Sequence, residues 1–398
     1  MKPITQKRIE SIDILRGVVM IIMALDHVRD YFHVSSFTED PLNLTTTTPI
    51  LYFTRWVTHF CAPIFVFLSG TSIYLQSFRK TKKELSAFLI KRGLWLVFAE
   101  VVIVTLALTF NPLYNVLMLQ VIWAIGCSMV ILGLLIYLPF NVILGLGMLI
   151  VLGHNLLDIP ESAPDFKPNF WWNLLHLAGG PYQFIPNHFV LTLYPLIPWT
   201  GLMMLGYCAG VFYSAAFTAA QRSRVLTWLG IGLILFFVGL RFINSYGNPF
   251  AWSYQKSSLL TVLSFINLQK YPPSLLYMCI TVGPALIFLA WIEKIQNGFT
   301  NTIRIYGRTA FFYYLIHFYL IHLLSALCFL GRGHSMQDAI NIATSNSLPF
   351  LFIKPGEGFN LTIVYVIWIA VVMSLYPLCK WYDAYKTKHK EKWWLSYL

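Results

Sequence analysis

Six ionisable residues sit in one otherwise apolar segment, SIDILRGVVMIIMALDHVRDYF at 11–32: Asp13, Arg16, Asp26, His27, Arg29 and Asp30. Groups of this kind are expensive to take out of water, so inside a membrane helix each one calls for a partner or a function. Three-residue spacing lets Asp13 pair with Arg16, Asp26 with Arg29, and His27 with Asp30 on a helical face. Arg16 either snorkels to the headgroups or grips an anionic phosphate. Asp26 and His27 act either as structural glue or as groups that move a proton and position a substrate. A second histidine, His59, stands in RWVTHFCAPIFVFLSG at 55–70, on the same side of the bilayer as His27. Pro63 near the start of the helix fixes how His59 projects into an outer mouth. Imidazole titrates near neutrality, which suits a general base.

Further along lies GRTAFFYYLIHFYLIHLL at 307–324. His317 and His322 are five apart and do not share a face well. No HExxH run or Cys/His ligand spacing accompanies them, so no metal is expected. Glu100, in VFAEVVIV, is a carboxylate in mid-helix that must be neutral or paired. Arg16 is one candidate partner. Asn187 and His188, in NFWWNLLHLAGGPYQFIPNHF at 169–189, are candidate substrate contacts together with His317.

The elements that carry these residues follow from composition. The chain has 398 residues, of which 57% are hydrophobic and only 11% charged, against roughly 25% charged in soluble domains. Its mean hydropathy is +0.65. This predicts an all-α, polytopic integral membrane protein with a single transmembrane domain over 1–398. About ten apolar spans are expected, near 12–32, 60–78, 93–111, 116–138, 141–157, 191–215, 225–242, 275–292, 306–328 and 361–379. The first is too long and too charged for a cleavable leader. The six cysteines lie mostly in apolar runs without CxxC spacing and read as small buried hydrophobes.

The net charge of +12 is read by location and not as a sign of nucleic-acid binding. With the N-terminus inside, 19 of the 28 basic residues fall in inner segments. They include Lys2, Lys7 and Arg8, the run at 79–92, Arg222, Arg224, Lys294, Arg304, Arg308 and the lysines from 380 to 392. The positive-inside rule therefore puts both termini in the cytoplasm. Longer loops near 33–59, 158–190, 243–274 and 329–360 then form an outer cap. Two function classes fit these residues: a membrane enzyme with a histidine base, and a proton-coupled multi-helix solute carrier that uses Asp26, Glu100 and His317. No internal repeat of the kind common in carriers is visible.

SIDILRGVVMIIMALDHVRDYF at 11–32 resembles the first helix of bacterial membrane proteins related to heparan-alpha-glucosaminide N-acetyltransferase. HFCAPIFVFLSGTSIYL at 59–75 is similar to their second helix, YPLIPWTGLMMLGYCAGVFY at 194–213 to their middle block, and GRTAFFYYLIHF at 307–318 to a later helix. More distantly, the DILRG start resembles membrane acyltransferases that decorate surface sugars. The resemblance implies an acetyl-CoA donor at the cytoplasmic face and an acceptor amine or hydroxyl on a sugar at the far face. The protein would then sit in a bacterial inner membrane. The acceptor would be a small-molecule or lipid-linked glycan. The family's catalytic histidine precedes the second helix, which points to His59, with Asp26 or Asp30 orienting it and His27 sharing the work. Coenzyme A is highly anionic, so Arg16, Arg92 and Arg308 are candidate clamps on the inner side. Transfer is either direct or through an acyl-histidine, and a homo-oligomer is left open.

Overall fold

The computed structural model describes residues 9–345 and 348–396. Lys2, Lys7 and Arg8 lie outside the described residues. The chain is almost entirely α-helical. Helix α1 is Glu10–Phe32, and α2 is Pro49–Ser77, running through a 3-10 turn at Thr58–Phe60. Helix α3 covers 82–109 and contains a π-helical turn at Ala99–Val104. The strand β1, Val116–Leu119, leads into α4, Val121–Leu135. Then come α5, Phe140–Glu161, and the short α6, Phe170–Leu175. The hairpin of β2, Gly179–Ile185, and β3, His188–Thr192, follows. Helices α7, Leu196–Tyr213, α8, Ala219–Ile243, and α9, Ser258–Ile266, come next. The chain continues with α10, Leu275–Ile292, α11, Gly298–Arg308, and α12, Ala310–Gly331. It ends with α13, Met336–Ser345, and α14, Leu361–Lys388.

Each expected span is occupied by helix over most of its length, with three differences. The helix expected at 60–78 starts at Pro49, because Thr48 caps it and proline in the first turn costs no hydrogen bond. The outer loop 33–59 is correspondingly shorter. Residues 116–119 of the expected fourth span are not helical. They pair in parallel with β3, Val116 opposite Phe189 and Leu119 opposite Thr192. The all-α expectation therefore misses a three-stranded sheet in the order β1-β3-β2. The last expected correspondence that changes is 306–328, which is broken at Thr309 into α11 and α12.

Among the described residues, seven helices are long and apolar enough to cross a membrane: α2, α5, α7, α8, α10, α12 and α14. Helix α4 is apolar but shorter. Outer helices α8 and α14 present bulky apolar side chains away from the protein, among them Trp228, Leu235, Phe242, Val366, Ile369 and Met373. Bilayer lipid is the solvent such faces fit.

Helix α1 is the opposite case. It is packed against α2, α10, α11, α12 and α14, and Asp13, Asp26 and Arg29 among its charged residues are buried. Glycines permit the tightest of these contacts. A Cβ on Gly307 would lie 1.8 Å from the carbonyl oxygen of Asp13, and one on Gly17 would lie 2.0 Å from that of Ile303. Small residues let helix backbones approach in this way, and here the approach sets the position of Arg16 between them. Gly307→Ala should push α1 and α11 apart and cost about 1–3 kcal/mol or more. Thermal unfolding in detergent checks this against Gly298→Ala, where nothing lies within 4 Å of the new methyl group. Equal midpoints for the two variants would refute it.

Candidate active site

Helix α1 brings Asp26, His27, Arg29 and Asp30 to the end of the bundle that carries the hairpin, and α2 brings Arg55 and His59. These last two are four residues apart and share a helical face. Asp26 accepts from Arg55 Nη1 at 2.5 Å and is paired with Arg29 Nη2 at 2.9 Å. The expected three-residue pair with Arg29 is present. Asp30 also goes to Arg29, at 2.5 Å, instead of pairing with His27. Arg29 Nη1 is buried with no hydrogen-bond partner among the described residues. The loop between α9 and α10 adds Lys270 and Tyr271, with the Lys270 ammonium 5.1 Å from the Tyr271 ring centre. Burial alone would push the Tyr271 phenol up. The Lys270 ammonium, the Arg55 guanidinium and hydrogen bonds with Tyr194 and Lys270 outweigh this and hold it below its ordinary range.

His27 pairs with a residue 290 positions away. Its Nδ1 lies 2.7 Å from Nε2 of His317, whose own Nδ1 lies 3.0 Å from the Tyr313 carbonyl. A carbonyl only accepts, so His317 carries its proton on Nδ1, and in the neutral ring Nε2 accepts from His27 Nδ1. The lone pair of His27 is then on Nε2. Phe318 stacks on the His27 ring at 4.1 Å. A proton taken up at Nε2 can be matched by passing the Nδ1 proton to His317, so the pair can act as a base with a relay.

His59 is only 3% exposed and does not stand at an open mouth. The continuous α2 carries it into the bundle wall beside α10. Its ring meets Tyr277 edge-on at 5.4 Å, and its carbonyl accepts from the Tyr277 hydroxyl at 2.7 Å. His59 Nε2 is buried with no hydrogen-bond partner among the described residues.

Two other buried polar groups are held by backbone. His322 has Nδ1 3.1 Å from the Ala107 carbonyl and Nε2 2.9 Å from that of Leu351. Glu100 does not pair with Arg16. It lies in the π-helical turn of α3 and accepts from the Trp123 N–H at 3.0 Å, at the start of α4. Arg16 instead binds Asp13 at 3.3 Å and the Ser72 hydroxyl at 2.9 Å. His188 is 2.9 Å from the Pro186 carbonyl through Nδ1 and 3.2 Å from the Leu113 carbonyl through Nε2. Asn187 has a left-handed backbone, φ 62°, in the β2–β3 turn, and its carbonyl accepts from Asn115. Both hold the hairpin to the segment before β1.

A cavity of about 290 Å³ gathers Arg16, Arg92 and Arg308, which the sequence left far apart, and adds Lys386. Arg308 is also paired with Asp383 at 3.0 Å, but a guanidinium keeps further N–H donors after one such contact. The lining changes along the cavity. Three stretches give a basic residue and then, one or two turns on, a less polar one: Arg16 then Met20 on α1, Arg92 then Leu96 on α3, Arg308 then Phe311 and Tyr314 from α11 into α12. Tyr314 sits one turn from His317, with ring centres 5.7 Å apart. The apolar end of the cavity thus leads toward the histidine pair. The basic end suits an anionic group, and the other end offers a less polar lining.

No local signal marks Lys270 or Tyr271, which sit in the irregular stretch QKYPPS. Arg55 was passed over as well, although its place one helical turn before His59 was a signal that could have found it. Tyr314 and Lys386 join the site only through packing.

The family described as heparan-alpha-glucosaminide N-acetyltransferase, catalytic, matches residues 8–246, more than half of the chain. The matched part holds Arg16, Asp26, His27, Arg55, His59 and Arg92. A search of curated proteins gave no match.

Proposed function

Since the chain belongs to the heparan-alpha-glucosaminide N-acetyltransferase catalytic family, we propose that it moves an acetyl group from acetyl-CoA at the cytoplasmic face to an amine or hydroxyl at the other face. The acceptor is a sugar, free or lipid-linked. The membrane is crossed about ten times with both termini inside, as the distribution of basic residues supports. The observation that carries the reading is the cavity: Arg16, Arg92, Arg308 and Lys386 at one end, and Tyr314 beside His317 at the other.

In this reading the basic residues hold the phosphates of coenzyme A, and the apolar length directs the thioester toward His27. As the acceptor nitrogen or oxygen attacks the thioester carbonyl, its proton passes to His27 Nε2. The C–S bond breaks, and the leaving thiolate takes a proton from His27 or from water. His317 relays charge through the short bond to His27. Asp26, Arg29, Arg55, Lys270 and Tyr271 surround the acceptor side. His59 is the other candidate base. Direct transfer uses every one of these groups and needs no acyl-histidine.

Sealed vesicles of known orientation test both chemistry and topology. Labelled acetyl-CoA is supplied on one face and a panel of glucosaminides and lipid-linked sugars on the other. Acetylated acceptor and free CoA are expected only when acetyl-CoA meets the cytoplasmic face. Proton-driven uptake with no use of acetyl-CoA would overturn the enzyme reading in favour of a carrier, for which the His27–His317 pair would be the proton site.

A further inference from the structure

The hairpin end of the bundle contains a second set of converging polar groups, apart from the proposed acetyl-transfer site. Asp158 and Glu161 are three residues apart at the end of α5, so they share a face. His176, just after α6, folds back onto them. One ligand atom from each of the three lies within 4.8 Å of the others. We propose that Asp158, Glu161 and His176 bind a divalent cation of the zinc class, with water completing the coordination.

Three observations carry this. The first is distance. Zinc bonds to imidazole nitrogen and carboxylate oxygen are about 2.0–2.2 Å long, which sets tetrahedral ligand atoms roughly 3.4 Å apart, so one ion would draw the widest pair in by about an ångström or more and side-chain rotation can supply that. The second is charge. The Glu161 side chain is 7% exposed and that of His176 1%. Among the described residues no lysine or arginine pairs with either carboxylate, and the imidazole is the sole counter-group of Glu161. A buried carboxylate wants a cation. Asp158, half-buried, lies on the same face, and with no lysine or arginine supplied to either carboxylate there is room for an ion. The Trp172 Nε1–H and His176 Nδ1 both reach Glu161 Oε1, each at 2.7 Å, which leaves Oε2 available.

The third is the outer support. Metal ligands are usually held by a further layer of hydrogen bonds, and each ligand here has one. Asn155 Nδ2 donates to Asp158 Oδ2 at 2.7 Å. Trp172 holds Glu161. His154 Nδ1 lies 3.2 Å from His176 Nε2, and His154 is 3% exposed. Binding would move the His176 proton from Nδ1 to Nε2, where it faces His154 Nδ1, and His154 would carry its own proton on Nε2. Both rings stay neutral and no net proton is released. Asn155 also accepts from the Leu275 N–H at 2.9 Å, at the start of α10. The cation would therefore fasten the segment 158–192 to α5 and to the helix that follows the Lys270–Tyr271 loop.

The test uses the purified full chain in detergent, stripped with chelator and dialysed against zinc alone, then cobalt alone. About one zinc ion per chain is expected, with a higher unfolding temperature than the stripped protein and visible cobalt absorption bands. Glu161→Gln and His176→Asn should lose the bound ion, and Asp158→Asn should weaken binding and alter the cobalt bands. Asp158 is half-buried and has no hydrogen bond to the other two groups, so its variant keeps the test valid if the others misfold. Zinc content and cobalt bands identical in wild type and Asp158→Asn, or no zinc in the wild type, would overturn the proposal. An ordinary His176–Glu161 ion pair would give that second result. Acetyl transfer is not read in this experiment, so its outcome is independent of the proposed enzyme activity.

Discussion

Replacement of His27 by glutamine is expected to lower acetyl transfer by roughly 10²–10⁴-fold, the usual worth of a general base, with little change in the KM for acetyl-CoA. The imidazole is aligned by its 2.7 Å contact with His317 and by Phe318 stacked on its face. Its Nε2 holds the lone pair because the Tyr313 carbonyl fixes the tautomer of His317. Glutamine keeps a hydrogen-bonding group of similar reach but cannot take a proton. His317→Gln should cost less, because it removes the relay and leaves the base. His59→Ala is the comparison. His59 is more deeply buried than His27, and its contact with Tyr277 gives it a packing role. If His59→Ala loses turnover and His27→Gln keeps it, the base is His59. The orphaned His59 Nε2 would then be the atom that meets the acceptor. Thermal unfolding of each variant separates lost chemistry from lost fold.

Asp26→Asn should destabilise the protein by about 3–5 kcal/mol, the range for removing one partner of a buried ion pair. Asp26 is the shared acceptor of Arg29 and Arg55. The Arg29 and Arg55 side chains are only 4% and 16% exposed, so neutralising Asp26 takes a shared carboxylate from two cations held in the bundle. Arg29 keeps Asp30, but Arg55 keeps no carboxylate among those described. Arg55→Met should cost less than Asp26→Asn, because Asp26 retains Arg29. The double variant Asp26→Leu, Arg55→Met should recover part of the loss, since an apolar pair removes the desolvation penalty along with the attraction. Unfolding midpoints in detergent rank the three. If Arg55→Met proves the most damaging, Asp26 is not the hub of the cluster.

Local signals in the sequence were enough for the helices. The ten apolar runs are helical over most of their length because length and hydropathy decide that much, and caps such as Thr81 with Glu84 and Thr218 with Gln221 fixed several starts. The chemistry-bearing helix was also legible, since Asp13 with Arg16 and Asp26 with Arg29 pair at three-residue spacing within one element. The family was legible in the same blocks. Tertiary packing decided the rest. Nothing in the spacing of His27 and His317, 290 residues apart, marks them as partners. A pair across helices depends on which faces meet, and here close packing of α1 against its neighbours sets those faces. The same packing buried His59, which local reading put at a mouth, and gave Glu100 a backbone N–H in place of Arg16. It turned Val116–Leu119 from helix into strand, because β3 offered an edge that the local sequence could not announce. It brought Arg16, Arg92, Arg308 and Lys386 around one cavity. The sequence determined which segments leave water and which residues could do chemistry, since both follow from near neighbours. Which of those residues act together was decided only where distant helices met.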